Sequence, residues 1–518
     1  MSRRKKYSIE KTSQTSQASR PGFGVTSVIP LILIIFAYVN VSVGSLFYPL
    51  DFDLGWHLRY GQDVVENHFI SSVNTYSADM AGYHWRNSSW LSDVLRYIIF
   101  KYSSFQGLMI AGIVTMVVTF YVFARAAKFS WWEATLIFPI LVYMETPLTS
   151  ASFRAQLLSF TGMGVVMWIL ASYQAGNRKA LWWLLPLFLV WGNLHGGFIL
   201  STFYLIGWTI LFVASKVIVE KSMSLPQALK IHALPLLAVT ALSTLATFVN
   251  PWGPELYLDH LSFLNKGNPS QFIVEWKPLL EAPGLLRSHV LFGFILLAGV
   301  ATLVWKKQLK AMLPLAVAVI FLYFAAYFSR RYAWTMYFMA MPLLVPFAKI
   351  LKPKNTMIAH GIALLVSIVF FAFIWMQHLN GFSFQGMNWD LYCSFSGCSP
   401  PSADYVVKNL KDRTLYTTYD WGGWLIWNYP QIKPIVDGRM PTWQDDKGYN
   451  AFINYVTYEQ NRAEIDGSKY DVVYLSPGKR ALFEHMFELV SLGKWKIAYK
   501  DSYAFVFVRS RLPSEYME

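Results

Sequence analysis

Apolar stretches long enough to cross a hydrocarbon core of about 30 Å recur along the chain, separated by short polar breaks. They lie near 25–46, 105–125, 131–147, 155–173, 181–197, 199–217, 232–249, 288–304, 311–328, 333–348 and 356–377, which makes eleven. Residues 1–24 are polar and open on Arg3, Arg4, Lys5 and Lys6, so they read as a disordered basic tail. Two breaks are long, 47–104 and 250–287, and both are rich in Trp, Tyr, His and carboxylates. Tight turns would suffice for a chain that only spans, so the long loops mark a working face. Within 47–104 the pattern predicts short interfacial helices, with Trp56, Trp85 and Trp90 suited to the headgroup layer.

Beyond about residue 380 the pattern changes. Short β-branched and aromatic runs at 414–418, 433–436, 471–475 and 504–508 predict strands, with helical periodicity near 402–410, 445–458 and 479–492. The predicted fold is a polytopic α-helical membrane domain over 25–378, followed by a soluble α/β domain over 379–518.

Charge gives the topology. Only 14% of residues are charged, against about 25% in soluble domains, yet the net charge is +14. That excess is not one basic face of the kind a nucleic-acid binder carries, and no nucleic-acid partner is implied. It is spread over alternate connections: Arg125 and Lys128; Arg178 and Lys179; Lys216, Lys221 and Lys230; Lys306, Lys307 and Lys310; Lys349, Lys352 and Lys354. The positive-inside rule therefore places the N-terminus in the cytoplasm, and an odd span count puts 379–518 outside. Cys393 and Cys398 read either as a small disulfide loop, which needs an oxidising compartment, or as two free thiols.

Three groups of residues can carry chemistry. Asp51-Phe-Asp53-Leu-Gly-Trp56-His57 follows the first span, and carboxylates there can accept a proton from an acceptor hydroxyl or hold a divalent cation, Mg or Mn. Arg154, His195, Arg330 and Arg331 stand at outer helix ends, where a guanidinium suits phosphate oxygens. In the soluble domain, Tyr419-Asp420-Trp421-Gly422-Gly423 and Asp437-Gly438-Arg439 sit at strand ends, read equally as a ligand site or as a turn scaffold. No Walker loop and no glycine fingerprint opens a helix, so nucleotide binding has no support.

The first of these stretches, with Gly61 and the Asn74-to-Trp85 segment, resembles the first outer loop of the GT-C superfamily, which contains protein O-mannosyltransferases and oligosaccharyltransferases. Arg154-Ala-Gln, Trp191-Gly-Asn-Leu-His195-Gly-Gly, Asn250-Pro-Trp-Gly and Glu275-Trp-Lys-Pro look like elements of a bacterial and archaeal branch of such proteins. Tyr419-Asp420-Trp421-Gly422-Gly423 is similar to the Trp-Trp-Asp-Tyr-Gly motif of oligosaccharyltransferases, departing from it at the first Trp and at the Tyr.

The resemblance implies a glycosyltransferase whose partners are membrane lipids, a polyprenyl-phosphate or polyprenyl-diphosphate sugar donor and an extracytoplasmic acceptor, whether glycan, lipid or protein. Asp53 or Asp51 would be catalytic, as base or metal ligand. Arg154, Arg330, Arg331 and His195 would meet the donor phosphate, and Trp56, His57, Glu275, Asp420, Trp421, Asp437 and Arg439 would form the acceptor or loop site. Residues 145–155 offer only Glu145 where metal-dependent relatives carry a second acidic pair, which leaves a cation requirement open. A flippase of lipid-linked sugars and a non-catalytic envelope scaffold or sensor are the alternatives. The flippase would place ionisable groups near the membrane midplane.

Overall fold

The computed structural model describes residues 51–149, 153–259, 273–378 and 388–510, together with Ile32. The predicted tail over 1–24 and the first predicted span, 25–46, lie outside the described residues. Helix α1, Leu54–Glu66, lies in the first long loop, and α2, Trp90–Ala127, closes it and runs on into the apolar bundle. The bundle continues with α3 (Trp131–Thr149), α4 (Ala155–Gln174), α5 (Leu184–Leu194), α6 (Phe198–Val219) and α7 (Leu225–Ala246). It ends with α8 (Pro283–Trp305), α9 (Leu309–Ala325), α10 (Arg331–Ile350) and α11 (Thr356–His378).

Among the described residues, seven of these helices are long and apolar enough to cross a membrane, namely α2, α4, α6, α7, α8, α10 and α11, and the chain is an integral membrane protein. α9 and the Trp131–Met144 part of α3 are apolar but shorter, and α5 has only 11 helical residues, being entered through a 3₁₀ turn at Arg178–Trp183. α2 explains a boundary that hydropathy alone draws near 105. Ser104 adopts φ 52° and ψ −151°, which separates the loop-side part, residues 90–103, from the spanning part, residues 105–127.

The centre of the bundle is α10. It packs against α2, α3, α4, α8 and α9, and its side chains from Ala333 to Pro346 are all buried. Such all-round apolarity suits a helix enclosed by other helices rather than by lipid. Close approach to α8 needs Gly299, where an added Cβ would stand 2.7 Å from the Leu343 carbonyl oxygen.

After the bundle come α12 (Trp389–Ser396), α13 (Pro400–Asn409), α14 (Gly422–Asn428), α15 (Ala451–Glu459) and α16 (Arg480–Ser491). They surround a sheet of β1 (Leu415–Thr417), β2 (Val472–Leu475), β3 (Trp495–Lys500) and β4 (Phe505–Arg509) in the order β1-β2-β4-β3. β1 and β2 are parallel, and the other pairs are antiparallel. Cys393 and Cys398 form a disulfide at the end of α12, which decides between the two readings of that pair.

Two features differ from the sequence pattern. Residues 433–436 are not a strand: Pro434 and Ile435 spend their carbonyls on the backbone N–H groups of Ala78 and Asp79, and the Ile435 N–H goes to Thr417 Oγ1. A proline has no N–H for a ladder, and the first outer loop supplies the missing partners. Conversely, β3 forms where no strand is predicted: only Trp495 of it is fully buried, and its ladder comes from β4.

The larger correction concerns the loop aromatics. Trp56 and Trp85 are buried with Tyr60 in one core that also holds Ile435, Trp443, Phe452 and Phe507. Trp90 gives its indole N–H to Asn193 Oδ1 at 2.9 Å. These rings therefore pack against protein, not headgroups, because the region after the bundle lies on the first loop and offers a larger apolar surface.

Candidate functional site

Asp51, Phe52 and Asp53 lead into α1, with Asp53 as its N-cap. Three close backbone approaches fix this segment. A Cβ on Gly55 would lie 1.8 Å from the Gly423 carbonyl oxygen, one on Gly423 would lie 2.1 Å from that of Phe52, and one on Gly438 would lie 1.6 Å from Asp53 Oδ1. The two glycine-bearing turns of the C-terminal region are thus the seat on which the acidic loop rests. Gly438→Ala is expected to displace the Asp53 carboxylate and lower activity by at least tenfold while leaving the α-helical content unchanged, as read by turnover and circular dichroism.

The two carboxylates have different surroundings. Asp51 is buried and accepts from Arg154 Nη2 at 3.3 Å and from the Asp53 backbone N–H, also at 3.3 Å. Burial alone would lift its carboxyl, but Arg154, helped by Arg96 and His57, outweighs it and holds Asp51 below the usual carboxylate range. Asp53 is half-buried, and burial together with the neighbouring Asp51 charge pushes it above that range. The pair therefore divides into an ion-paired anion and a stronger base.

Arg154, at the N-terminus of α4, also gives Nη1 to Glu275 Oε1 at 2.7 Å. The Asp51 carboxylate tightens its hold on its proton, and its charge is shared between these two anions. Arg330 serves the Glu275 segment differently. Its backbone N–H goes to the Lys277 carbonyl at 3.1 Å and its Nε to the Pro278 carbonyl at 3.3 Å. Arg331, the next residue, lies over the Trp276 ring with its guanidinium carbon 5.0 Å from the centroid.

Arg331 also lines a cavity of about 930 Å³ beside this cluster. One wall is polar and aromatic: Trp56, Tyr83, Trp85, Trp443 and Asp446. The other is mostly apolar, with Phe160, Met163, Ile199, Leu200 and Phe203, and includes His195. His195 ends α5 in an extended conformation. Ser159 Oγ, which accepts the Trp191 indole N–H at 2.8 Å, stands 2.6 Å from His195 Nδ1, and the Gly197 N–H reaches the same nitrogen at 3.2 Å. Two donors on Nδ1 leave the ring proton on Nε2, so His195 enters the cavity wall as a neutral hydrogen-bond donor.

Among the residues expected to bind donor phosphate, then, Arg331 and His195 line the cavity, Arg154 is held by Asp51 and Glu275, and Arg330 holds the 275–278 segment. Of those expected at the acceptor side, Trp56 and Arg439 line the cavity. Trp421 is fully buried against Tyr474, and Asp420 is paired with Lys479 at 3.0 Å. Asp437 and Arg439 form a buried pair, joined from Arg439 Nη2 to Asp437 Oδ2 at 2.7 Å, with Nη2 also reaching Asn74 Oδ1 at 2.9 Å. That pair fastens the first loop to the C-terminal region.

Two charged residues escaped the sequence reading, Asp93 and Arg96, in the first turns of α2. Asp93 Oδ1 lies 2.6 Å from His57 Nδ1, and Arg96 gives Nε to the Phe153 carbonyl at 2.9 Å. The spacing of an acid and a base three apart at a helix start was the available signal, but helix starts carry such pairs without function. As for a cation, no three His, Cys, Asp or Glu side chains converge on a common point among the described residues. Asp51 is already taken up by Arg154, and the Glu145 side chain lies outside the described ones.

No protein-family model matches this chain, and no curated protein is similar to it in sequence. Among solved structures, it is similar to the archaeal oligosaccharyltransferase AglB from Archaeoglobus fulgidus in complex with an inhibitory peptide and a dolichol-phosphate. The TM-score is 0.52 at 12% identity, over 94% of this chain and 75% of that one. The fold is therefore GT-C-like, as the motif resemblance implied.

Proposed function

We propose that this protein is a membrane glycosyltransferase that moves a sugar from a polyprenyl-phosphate or polyprenyl-diphosphate donor to an extracytoplasmic acceptor. The observation that carries the reading is the meeting of three environments in one place. Cationic Arg331 lines a cavity that also carries the apolar side chains of Phe160, Met163, Ile199, Leu200 and Phe203, and the elevated carboxylate of Asp53, not itself in the lining, is tied to it through two lining residues: Trp56, three positions on, and Arg439, next to the Gly438 on which Asp53 rests. A lipid-linked sugar phosphate needs the same three: a base for the acceptor, positive charge for the leaving phosphate, and a greasy wall for the prenyl chain. The fold similarity to an enzyme in complex with a dolichol-phosphate supports this assignment.

In this reading Asp53 takes the proton of the acceptor nucleophile as it attacks the anomeric carbon, with inversion. Arg331 and the His195 Nε2–H receive the charge that develops on the departing phosphate, the kind of term that dominates such reactions. Arg154 keeps Asp51 ionised, and that negative charge keeps Asp53 basic. The site belongs to the outer face in this reading, which rests on the charge register of the sequence with the N-terminus inside.

The test is turnover of the full chain in liposomes on a set of radiolabelled undecaprenyl- and dolichyl-phosphate or diphosphate hexoses. Release of label from at least one donor is expected, and an inert, folded protein on all of them would sink the proposal. In the same assay Arg331→Gln is expected to lower kcat by about 10²-fold, the scale of losing one transition-state donor. Unchanged kcat would remove Arg331 from the phosphate site.

A further inference from the structure

His57 and Asp93 belong to different helices and are brought together only by the fold. His57 lies in α1, four residues after Asp53, so the two side chains share one helix face a turn apart. Its backbone N–H donates to the Asp53 carbonyl at 3.2 Å, and its ring stacks on Trp56 with centroids 3.6 Å apart. Across from it, Asp93 is completely buried in α2. One Asp93 oxygen faces His57 Nδ1 at 2.6 Å, and the other accepts from Asn87 Nδ2 at 2.6 Å. Arg96 Nη1 lies 3.6 Å from Asp93 Oδ1, an ion pair within the first turns of α2.

This arrangement fixes the state of the imidazole. A buried carboxylate can only accept, so His57 Nδ1 carries the proton toward Asp93 and Nε2 is left as the acceptor. The charged groups facing His57 are Asp53 and Asp51 from its own segment and Asp93 with Arg96 from α2. Trp56 covers one ring face, which limits exchange with bulk water.

We propose that His57 and Asp93 form a proton relay behind Asp53, a role that rests on the transferase reading above. Asp53 accepts the proton from the acceptor O–H as the new C–O bond forms and the phosphate leaves with the bonding pair. The proton then passes from Asp53 to His57 Nε2. The resulting imidazolium is stabilised by Asp93, and its proton is lost to solvent before the next cycle. The relay resets the base that burial and the Asp51 charge would otherwise leave protonated. His57 and Asp93 are positioning residues here, since they act through Asp53.

The experiment compares wild type, His57→Ala and Asp93→Asn in liposomes on the undecaprenyl- and dolichyl-phosphate hexoses above, with and without added imidazole. Asp93→Asn can hold the wrong imidazole tautomer by turning its amide N–H₂ toward Nδ1, and about 10²- to 10⁴-fold lower kcat at unchanged KM is expected. His57→Ala is expected to lose a similar factor and to recover at least tenfold with imidazole, which a merely structural residue would not do. Full activity in either variant, or a His57→Ala loss that imidazole leaves untouched, overturns the relay. Should His57→Ala fail to fold, judged by thermal unfolding in detergent, Asp93→Asn decides alone. A wild type inert on every donor overturns the transferase reading itself, so the two failures are distinct.

Discussion

Asp53→Asn is expected to lower turnover by about 10²- to 10⁴-fold, the range for loss of a positioned general base, with little change in KM for the lipid donor. The substitution keeps shape and volume and removes only the charge. It should not destabilise the protein, because the fold disfavours ionised Asp53 through burial and through Asp51. A carboxyl whose folded pKa is raised lowers stability as pH rises through that region, and the neutral amide escapes this loss. The pH profile carries the same sign. Activity needs the ionised form, so wild-type turnover should fall on acidification at a pH above the ordinary carboxylate range. The residual rate of Asp53→Asn should lack that step. A variant that transfers at wild-type rate would move the catalytic role to another group, with Asp51 the first to examine by the same substitution.

The second large effect concerns the joint between the first loop and the C-terminal region. Arg439→Met is expected to destabilise the protein by about 3–5 kcal/mol, the usual result of leaving one member of a buried ion pair alone. Asp437 is fully buried, and Arg439 meets it through both Nε and Nη2, at 2.8 and 2.7 Å. Its guanidinium carbon also lies 4.8 to 5.9 Å from the ring centroids of Tyr76, Trp85, Trp443 and Trp56. Ser77 Oγ also donates to Asp437 Oδ2. The double variant Asp437→Asn with Arg439→Met should be more stable than Arg439→Met alone, because it removes the stranded charge. Thermal unfolding in detergent measures both. Burial would lift the Asp437 carboxyl, yet Arg439 outweighs it and holds the group below its ordinary value. Its contribution is therefore present above the unfolded pKa and is lost as pH falls through the lower folded one. Equal stability of wild type and Arg439→Met would show that the joint does not depend on this pair.

This joint also explains a limit of the sequence reading. Asp437-Gly438-Arg439 was recognisable as a motif of strand-end residues, but site and scaffold could not be told apart. The structure shows its scaffold role: Asp437 and Arg439 fasten Asn74 and Ser77, while Gly438 makes room for Asp53. In the same way Trp56 and Trp85, amphipathic rings at a membrane boundary, have the composition of a headgroup belt. Their burial came from an apolar surface almost four hundred residues further along the chain.

The sequence by itself determined the features that depend on local pattern. Hydropathy over about 20 residues marks the helices of the bundle, because a spanning backbone must satisfy its hydrogen bonds internally. The composition change near 380 marks the start of the sheet-bearing region, and Asp51 with Asp53 at the end of an apolar run marked the candidate chemistry. Tertiary structure alone decided which charges are spent and which remain. Arg154, Arg330 and Arg331 look alike in sequence, but only Arg331 lines the cavity, since Glu275 and Asp51 claim the first and the 278 carbonyl the second. The acidic loop likewise gained its two unlike carboxylates and its His57–Asp93 contact only on folding. Electrostatic character depends on distances of a few ångströms between groups far apart in the chain, and no linear pattern encodes them.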